Sequence, residues 1–248
     1  MAVFRGFQYS LSLLLLITAL VYSPALFNDF SGDDAGILLN NTFYYEQRDI
    51  SSFFSKGYTT DPLKAASGAL ENKGSGSVAF RPVLSLSYML DAFLWGRNPF
   101  GFHLSNLFIH CVCVGLIYIL SLELFSLPVA FWGALLFGVH PLNGEAVLAI
   151  GYRADLLAGM FVLLSVLFWG KFLRQGGWPL AGSGLCYGAA LFSKESAVLA
   201  PIIFLGFQQY ADGSRSAVKG ACPYILFLGI LGIYLVSYFY IFPNPAIT

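Results

Sequence analysis

Long apolar runs, separated by short polar stretches, make up most of this chain. A helix that crosses a bilayer needs about 20 consecutive apolar residues. The pattern therefore predicts an all-α polytopic membrane protein, a single bundle of about seven transmembrane helices over residues 1–248. The predicted spans are residues 7–27, 103–125, 129–150, 153–171, 179–193, 196–211 and 220–242.

The positions of Lys and Arg indicate the orientation, because short cytoplasmic loops carry an excess of both. Several polar stretches near span ends contain them: Arg5, Lys171 with Arg174, and Arg215 with Lys219. One orientation puts all of these on the inner side. It makes residues 28–100 a long first outer loop and turns the segments around 144–153 and 193–195 outward.

The segment Pro82–Trp95 is apolar, but it is too short for a span and contains Asp91. If it crossed the membrane, the basic pairs would face outward. We therefore predict an amphipathic helix on the outer interface, ending at Gly96. Residues 51–56 are predicted to form a second interfacial helix, and the Gly-, Ser- and Ala-rich residues 61–77 a mobile loop.

Composition agrees with a membrane protein, since 57% of residues are hydrophobic and 10% are charged. Soluble domains carry about 25% charged residues. The formal net charge of zero argues against a nucleic-acid partner, which would need a basic face. The cysteines lie in apolar runs without metal-site spacing, so neither a disulfide nor a zinc site is predicted.

The polar residues that interrupt the apolar runs collect on the outer side in this orientation. Ionisable residues near hydrocarbon are costly, so they are candidates for function. We predict an active site at the outer end of the bundle. Its candidate residues are Asp33, Asp34, Arg81, His103, Asn106, His110, His140, Asn143, Glu145, Arg153, Asp155, Lys194 and Glu195.

The adjacent carboxylates Asp33 and Asp34 follow directly on the first span. One of them is a candidate general base that would remove a hydroxyl proton as the oxygen attacks. The second carboxylate would adjust the proton affinity of the first. The alternative is that the pair only caps a helix or forms a turn.

Three cations are candidates for binding an anionic group such as a phosphate: Arg81, Arg153 and Lys194. Lys194 stands between two apolar halves on the outer side, where basic residues are disfavoured. The alternative for Arg153 is a structural ion network with Glu145 and Asp155.

Further polar residues are predicted to shape the pocket: His103, Asn106, His140, Glu145, Asp155 and Glu195. His103, Asn106 and His110 share one helix face, being three and seven residues apart. A polar seam between helices would explain the same spacing. His140-Pro141 is also compatible with a simple helix stop.

Several motifs occur in a familiar order. After Asp33-Asp34 come FRPVLSLSY at 80–88, NPFGFHLSNL at 98–107, HPLNGEAV at 140–147, YRADLLA at 152–158 and LFSKES at 191–196. The ordered set resembles the GT-C superfamily of polytopic glycosyltransferases. Within it, the sequence is most similar to the N-terminal membrane module of the transmembrane and tetratricopeptide-repeat O-mannosyltransferases and their bacterial relatives.

The resemblance implies inverting transfer of a sugar, such as mannose, from a polyprenyl- or dolichyl-phosphate carrier to a hydroxyl of a protein or glycan. It makes Asp33 or Asp34 the catalytic base. No cofactor beyond the lipid-linked donor is predicted, and no ligand cluster indicates a divalent metal. The site would face the periplasm from a bacterial inner membrane, or the lumen from an endoplasmic reticulum membrane.

Members of the family continue with further spans and helical repeats, whereas this sequence stops at Thr248. A C-terminal half or partner subunit is therefore expected to supply acceptor or lipid binding. Two alternatives from other classes are a membrane transporter and a non-catalytic lipid-binding scaffold. Transporters place polar groups near the bilayer midplane at the interface of internal repeats, whereas here they are biased to one side.

Overall fold

The computed structural model describes residues 2–31, 34, 37–38, 43–46, 50, 80–211 and 222–241. These residues are helical or irregular and include no strand, which confirms the all-α prediction. The predicted helix at 51–56, the predicted loop at 61–77, and Arg215 with Lys219 lie outside the described residues.

Ten α-helices are described. They are α1 (Ala2–Tyr22), α2 (Phe43–Glu46), α3 (Pro82–Trp95), α4 (Pro99–Leu124), α5 (Leu127–Gly138), α6 (Leu142–Leu148), α7 (Arg153–Gln175), α8 (Pro179–Leu191), α9 (Ala200–Ala211) and α10 (Cys222–Val236). Short 3₁₀ turns cover Ser23–Phe27, Ile150–Tyr152 and Glu195–Leu199, and a π-helical turn covers Ser237–Ile241. Helices α3, α4 and α8 begin with proline, whose fixed φ suits the first helical position.

Three segments of the described chain are long and apolar enough to cross a membrane: Gly6–Phe27, Pro99–Leu124 and Ile150–Gln175. The region predicted as one span at 129–150 is two helices, because α5 ends at Gly138 and α6 begins at Leu142. Pro141 cannot donate a helical hydrogen bond, which explains the break. Helix α9 has only 12 residues and follows a 3₁₀ turn.

Helix α3 ends as predicted. Its 14 residues are followed by Gly96, whose φ of +60° suits glycine.

Helices α4 and α7 lie side by side and run in the same direction. Arg153, the first residue of α7, contacts Phe102 and Asn106 in the first two turns of α4. At the other end, Arg174 of α7 pairs with Glu123 of α4. The intervening helices therefore return the chain to the end where α4 began.

Small residues bring α7, α8 and α10 close together. Ser165 of α7 and Ser183 of α8 each donate to the other's backbone carbonyl, at 2.7 and 2.8 Å. A Cβ added at Gly184 would lie 2.9 Å from Leu226 of α10. Close packing and inter-helix hydrogen bonds of this kind hold membrane helices together, since lipid is as apolar as their side chains.

Candidate functional site

Several chain segments meet at one end of the bundle. They are Asp34 after the first span, the starts of α3, α4 and α7, and the junction between α8 and α9. This is the end opposite the Glu123–Arg174 pair. The site is built from the contacts among these segments.

Asp34 is almost fully buried, with 2% of its surface exposed. Its carboxylate accepts hydrogen bonds from the backbone N–H groups of Ile150 at 3.2 Å and Gly151 at 2.6 Å. The loop after the first span is thereby fixed to the turn that precedes α7. Asp33 lies outside the described residues.

The Ile150–Tyr152 turn is held from two sides. Tyr88 of α3 donates its hydroxyl hydrogen to the carbonyl of Ile150 at 2.8 Å. A Cβ added at Gly151 would lie 3.2 Å from Asp34 Oδ1, so glycine allows the carboxylate its close approach.

Arg153 lies in the interior, with 1% of its surface exposed. Its Nη1 pairs with Asp91 Oδ2 at 2.6 Å, and its Nε donates to Asn106 Oδ1 at 2.7 Å. Nη2 donates to the Phe102 carbonyl at 2.8 Å, and the guanidinium lies 4.9 Å from the centre of the Tyr88 ring. The alternative network of Arg153 with Glu145 and Asp155 does not form, because the acidic partner of Arg153 is Asp91 of α3.

Asn106 connects α4 to the α6–α7 region. While its oxygen accepts from Arg153, its Nδ2 group donates to the carbonyls of Ala146 and Ala149 at 3.4 and 3.3 Å. The side chain is completely buried and engaged at both polar atoms. Its contacts are those of a residue that joins helices.

His103 and His110 share the face of α4 that carries Asn106, and both are 1% exposed. His110 Nε2 lies 2.9 Å from the carbonyl of Gly138, and its ring meets Tyr22 edge-on. The backbone of Asp29 lies within hydrogen-bonding range of the His103 ring. The carboxylate of Asp34 and the guanidinium of Arg153 both act electrostatically on the His103 ring.

The residues around the α5–α6 break hold the chain in its turn. The backbone carbonyl of His140 accepts a hydrogen bond from the Tyr22 hydroxyl at 3.0 Å. The ring Nδ1 of His140 accepts a hydrogen bond from the Leu142 N–H at 3.2 Å. Asn143 Nδ2 donates to the carbonyl of Phe137 at 2.7 Å. The side chain of Glu145 is exposed.

Two further ion pairs lie at the α8–α9 junction. Arg81 binds Glu195 through two parallel hydrogen bonds, Nε to Oε2 at 3.1 Å and Nη2 to Oε1 at 2.7 Å. Lys194 Nζ lies 2.6 and 2.7 Å from the two carboxyl oxygens of Asp155. These four predicted residues therefore form one group, to which Arg153 does not belong by direct contact.

The charges of this group act on Glu195. Burial alone would raise the pKa of the Glu195 carboxyl. The hydrogen bond from Arg81 and the charges of Arg81 and Lys194 outweigh that effect and hold this pKa below its ordinary value. Glu195 is therefore ionised at neutral pH.

A cavity of about 240 Å³ opens beside the Lys194–Asp155 pair. Asp155 and Ser196 line it near the ion pair, and the rest of its wall is apolar or small: Ala158, Gly159, Val162, Ala197, Leu199, Ala200 and Ile203. The arrangement combines the Lys194–Asp155 ion pair at one end with an apolar wall between α7 and α9. It suits an amphiphilic molecule with a polar head and a hydrocarbon chain.

Asp91 is a site residue that the sequence analysis did not identify. Beyond its ion pair with Arg153, its Oδ1 accepts a hydrogen bond from Ser105 at 2.7 Å. Its spacing could have identified it. Asp91 follows Leu84 by seven residues and Tyr88 by three, so all three lie on the same face of α3, which is buried.

Within the described ranges, no group of three or more His, Cys, Asp or Glu side chains is placed to hold a metal ion. The absence of a metal requirement stays a prediction.

Comparison with known proteins supports the resemblance found in the sequence. The family model for dolichyl-phosphate-mannose-protein mannosyltransferase matches residues 82–241. The chain is 31% identical over 188 residues to protein O-mannosyl-transferase TMTC2 from Homo sapiens, covering 72% of this chain and 21% of the relative. It is 36% identical over 161 residues to TMTC1 from Homo sapiens, covering 64% of this chain and 18% of the relative.

A relative from Drosophila melanogaster, Tmtc1, is 29% identical over 185 residues, which is 74% of this chain and 21% of the relative. The chain thus spans about a fifth of the length of the curated relatives it matches. No solved structure matches it.

Proposed function

Because the chain belongs to the dolichyl-phosphate-mannose-protein mannosyltransferase family, we propose that it forms the membrane module of a GT-C glycosyltransferase. The module transfers mannose from a dolichyl- or polyprenyl-phosphate carrier to a hydroxyl of a protein. The observation that carries the proposal is the meeting of Asp34, Arg81 and Lys194 with their partners at one end of the bundle.

The module crosses the membrane about seven times, with the site on the lumenal or periplasmic side. The shared direction of α4 and α7 supports this topology, as does the return of α8 to the site. Impermeant thiol labelling tests it. A cysteine at Ser31 reacts from outside the cell or vesicle, whereas one at Gly177 reacts only after permeabilisation. The reverse pattern would contradict the proposed orientation.

Arg81 and Lys194 bind the phosphate of the donor, and the cavity between α7 and α9 receives the first part of its hydrocarbon chain. The planar fork of Arg81, which now grips a carboxylate, also fits two phosphate oxygens. The apolar cavity wall beside Lys194 supports an amphiphilic donor.

The contacts of Arg153 favour a structural role over the donor binding predicted for it. Its guanidinium is buried and satisfied by Asp91, Asn106 and a backbone carbonyl. Withdrawing it from Asp91 would leave an uncompensated buried carboxylate, which is strongly unfavourable. We assign Arg153 to holding α3, α4 and α7 in register beneath the site.

Asp33 is the better candidate for the catalytic base. Asp34 is buried, and both of its oxygens accept backbone hydrogen bonds, so an acceptor hydroxyl cannot reach it without displacing Ile150 or Gly151. Asp34 instead fixes the loop on which Asp33 stands. His103, whose ring lies near Asp34 and Arg153, is a candidate for contacting the sugar, and Glu145 is a more exposed second candidate.

The reaction is a single displacement at the anomeric carbon. The base takes the proton of the acceptor hydroxyl while its oxygen bonds to C1 of mannose. The bond between C1 and the phosphate oxygen breaks, and the bonding electrons leave with the lipid phosphate. Arg81 and Lys194 stabilise the negative charge that develops on this leaving group.

Transfer of labelled mannose from dolichyl phosphate mannose to a Ser/Thr-containing peptide tests the proposal. Asp33→Asn is expected to lower the rate by about 10²-fold or more, because general-base catalysis contributes about that much. Glu123→Gln, at the opposite end of the bundle, is the matched control and keeps the wild-type rate. An unchanged rate in Asp33→Asn would refute its role as the base.

A further inference from the structure

Both cations proposed to bind the donor phosphate are already bound to carboxylates of this chain. Glu195 occupies the fork of Arg81, and Asp155 accepts from Lys194 through both of its oxygens. A phosphate cannot take the same donor groups while the carboxylates hold them. Donor binding through these same N–H groups therefore requires an exchange of partners.

Exchanging the partners of Arg81 and Lys194 is expected to cost little free energy. Glu195 is 51% exposed and Asp155 is 41% exposed, so either carboxylate can turn into water when released. Ion pairs that reach the solvent contribute little to stability, so they are readily exchanged. A phosphate, with more negative charge and more acceptor oxygens, competes well for the same donors.

We propose, on the basis of the function proposed above, that Glu195 and Asp155 occupy the phosphate site in the absence of donor and return to it after transfer. The donor carries a phosphodiester with one negative charge. The lipid product carries a phosphomonoester with a charge of about −1.5 to −2. Two cations alone would hold the product more tightly than the donor. Recapture of Arg81 and Lys194 by the two carboxylates opposes that retention and favours release.

Equilibrium binding of farnesyl phosphate to the full chain in nanodiscs tests the proposal without requiring catalysis. Glu195→Gln and Asp155→Asn remove the competing charge and are each expected to tighten binding by about two- to fivefold. Glu123→Gln breaks a similarly exposed pair away from the site and leaves the affinity unchanged. Farnesol, which has the chain without the phosphate, is expected to bind the wild-type chain and all three variants alike.

Unchanged or weaker binding of farnesyl phosphate in both Glu195→Gln and Asp155→Asn would overturn the proposal, as would failure of the wild-type chain and both variants to bind it. Equal tightening for farnesol would also overturn it, because the effect would then not concern the phosphate. Tighter binding of farnesyl phosphate by the two variants, without mannose transfer by the wild-type chain, would support the exchange of partners and refute the proposed catalytic function. The two proposals therefore fail by different results.

Discussion

Two kinds of ion pair lie at the same end of this molecule. Arg153 and Asp91 meet in the interior, where their side chains are 1% and 4% exposed. Arg81–Glu195 and Lys194–Asp155 meet at the surface of the α8–α9 junction, with side chains between 14% and 51% exposed. All three cations contact a carboxylate at 2.6–2.7 Å, so distance does not distinguish them. Burial does distinguish them, because separating a buried pair would leave uncompensated charges in the interior.

The comparison separates a fixed part of the site from an exchangeable part. The buried pair joins α3 to α7 and, through Asn106, to α4. The surface pairs join side chains that can part in water. A ligand phosphate can therefore compete for the surface cations but not for Arg153. Four predictions about stability test this distinction.

The largest effect is expected at the buried pair. Arg153→Gln leaves Asp91 uncompensated in the interior, and we expect a loss of about 3–5 kcal/mol in the free energy of unfolding. Thermal unfolding in detergent measures it. The double variant Arg153→Leu/Asp91→Leu should recover much of that loss, since no lone charge remains. A stability near that of the wild-type chain in Arg153→Gln would show that the pair is not a fixed element.

A smaller loss is expected at the hydrogen bonds that Asp34 accepts from the backbone of Ile150 and Gly151. Asp34→Ala leaves the buried N–H groups of Ile150 and Gly151 without their acceptor, at about 1–3 kcal/mol. Asp34→Asn keeps one acceptor oxygen and should lose less. The same unfolding measurement applies, with Asp29→Ala at an exposed position as the control. Equal stability of the Asp34→Ala and Asp29→Ala variants would argue against a stabilising role for the hydrogen bonds of Asp34.

The surface pairs should contribute least. Glu195→Gln and Arg81→Gln are each expected to change the free energy of unfolding by no more than about 1 kcal/mol, because the Glu195 end of their shared pair is exposed to solvent. A double-mutant cycle over these two positions isolates the pair term. A coupling energy above about 2 kcal/mol would place this pair in the fixed class and remove the distinction.

The pH dependence of the Glu195 pair gives the finest test. The pKa of Glu195 is lowered in the folded protein, with Arg81, Lys194 and Tyr234 as the titratable groups around it. Its contribution is fully present above the unfolded pKa of about 4.3 and is lost as pH falls through the lower folded value. The small stability difference between wild type and Glu195→Gln should therefore disappear in acid. A stability difference between wild type and Glu195→Gln that grew in acid would contradict the lowered pKa of Glu195.

The sequence predicted the features that depend on local pattern. The all-helical bundle and the end of α3 at Gly96 follow from the apolar runs and from glycine. The grouping of Lys194, Glu195, Asp155 and Arg81 at one end was also anticipated from the order of polar interruptions. Each of these depends on residues near one another in the chain or on the alternation of membrane crossings.

Partner choice could not be predicted in the same way. Arg153 is two residues from Asp155 and 62 from Asp91, yet it pairs with Asp91, because α3 lies against α4 and α7 and carries that carboxylate inward. Asp33 and Asp34 are neighbours with the same chemistry. Only the backbone of Ile150 and Gly151, far along the chain, assigns Asp34 to the interior.

The hydrogen bonds that hold Asp34 join groups 116 and 117 residues apart. Ribosomes add about 5–20 residues each second, so roughly 6–23 s pass between synthesis of this carboxylate and of its donors. The loop bearing the proposed base is thus synthesised early, but the backbone groups that hold it in place are synthesised much later. Chain order and assembly order therefore differ at the proposed site, which cannot form before the third long apolar segment, Ile150–Gln175, begins to be synthesised.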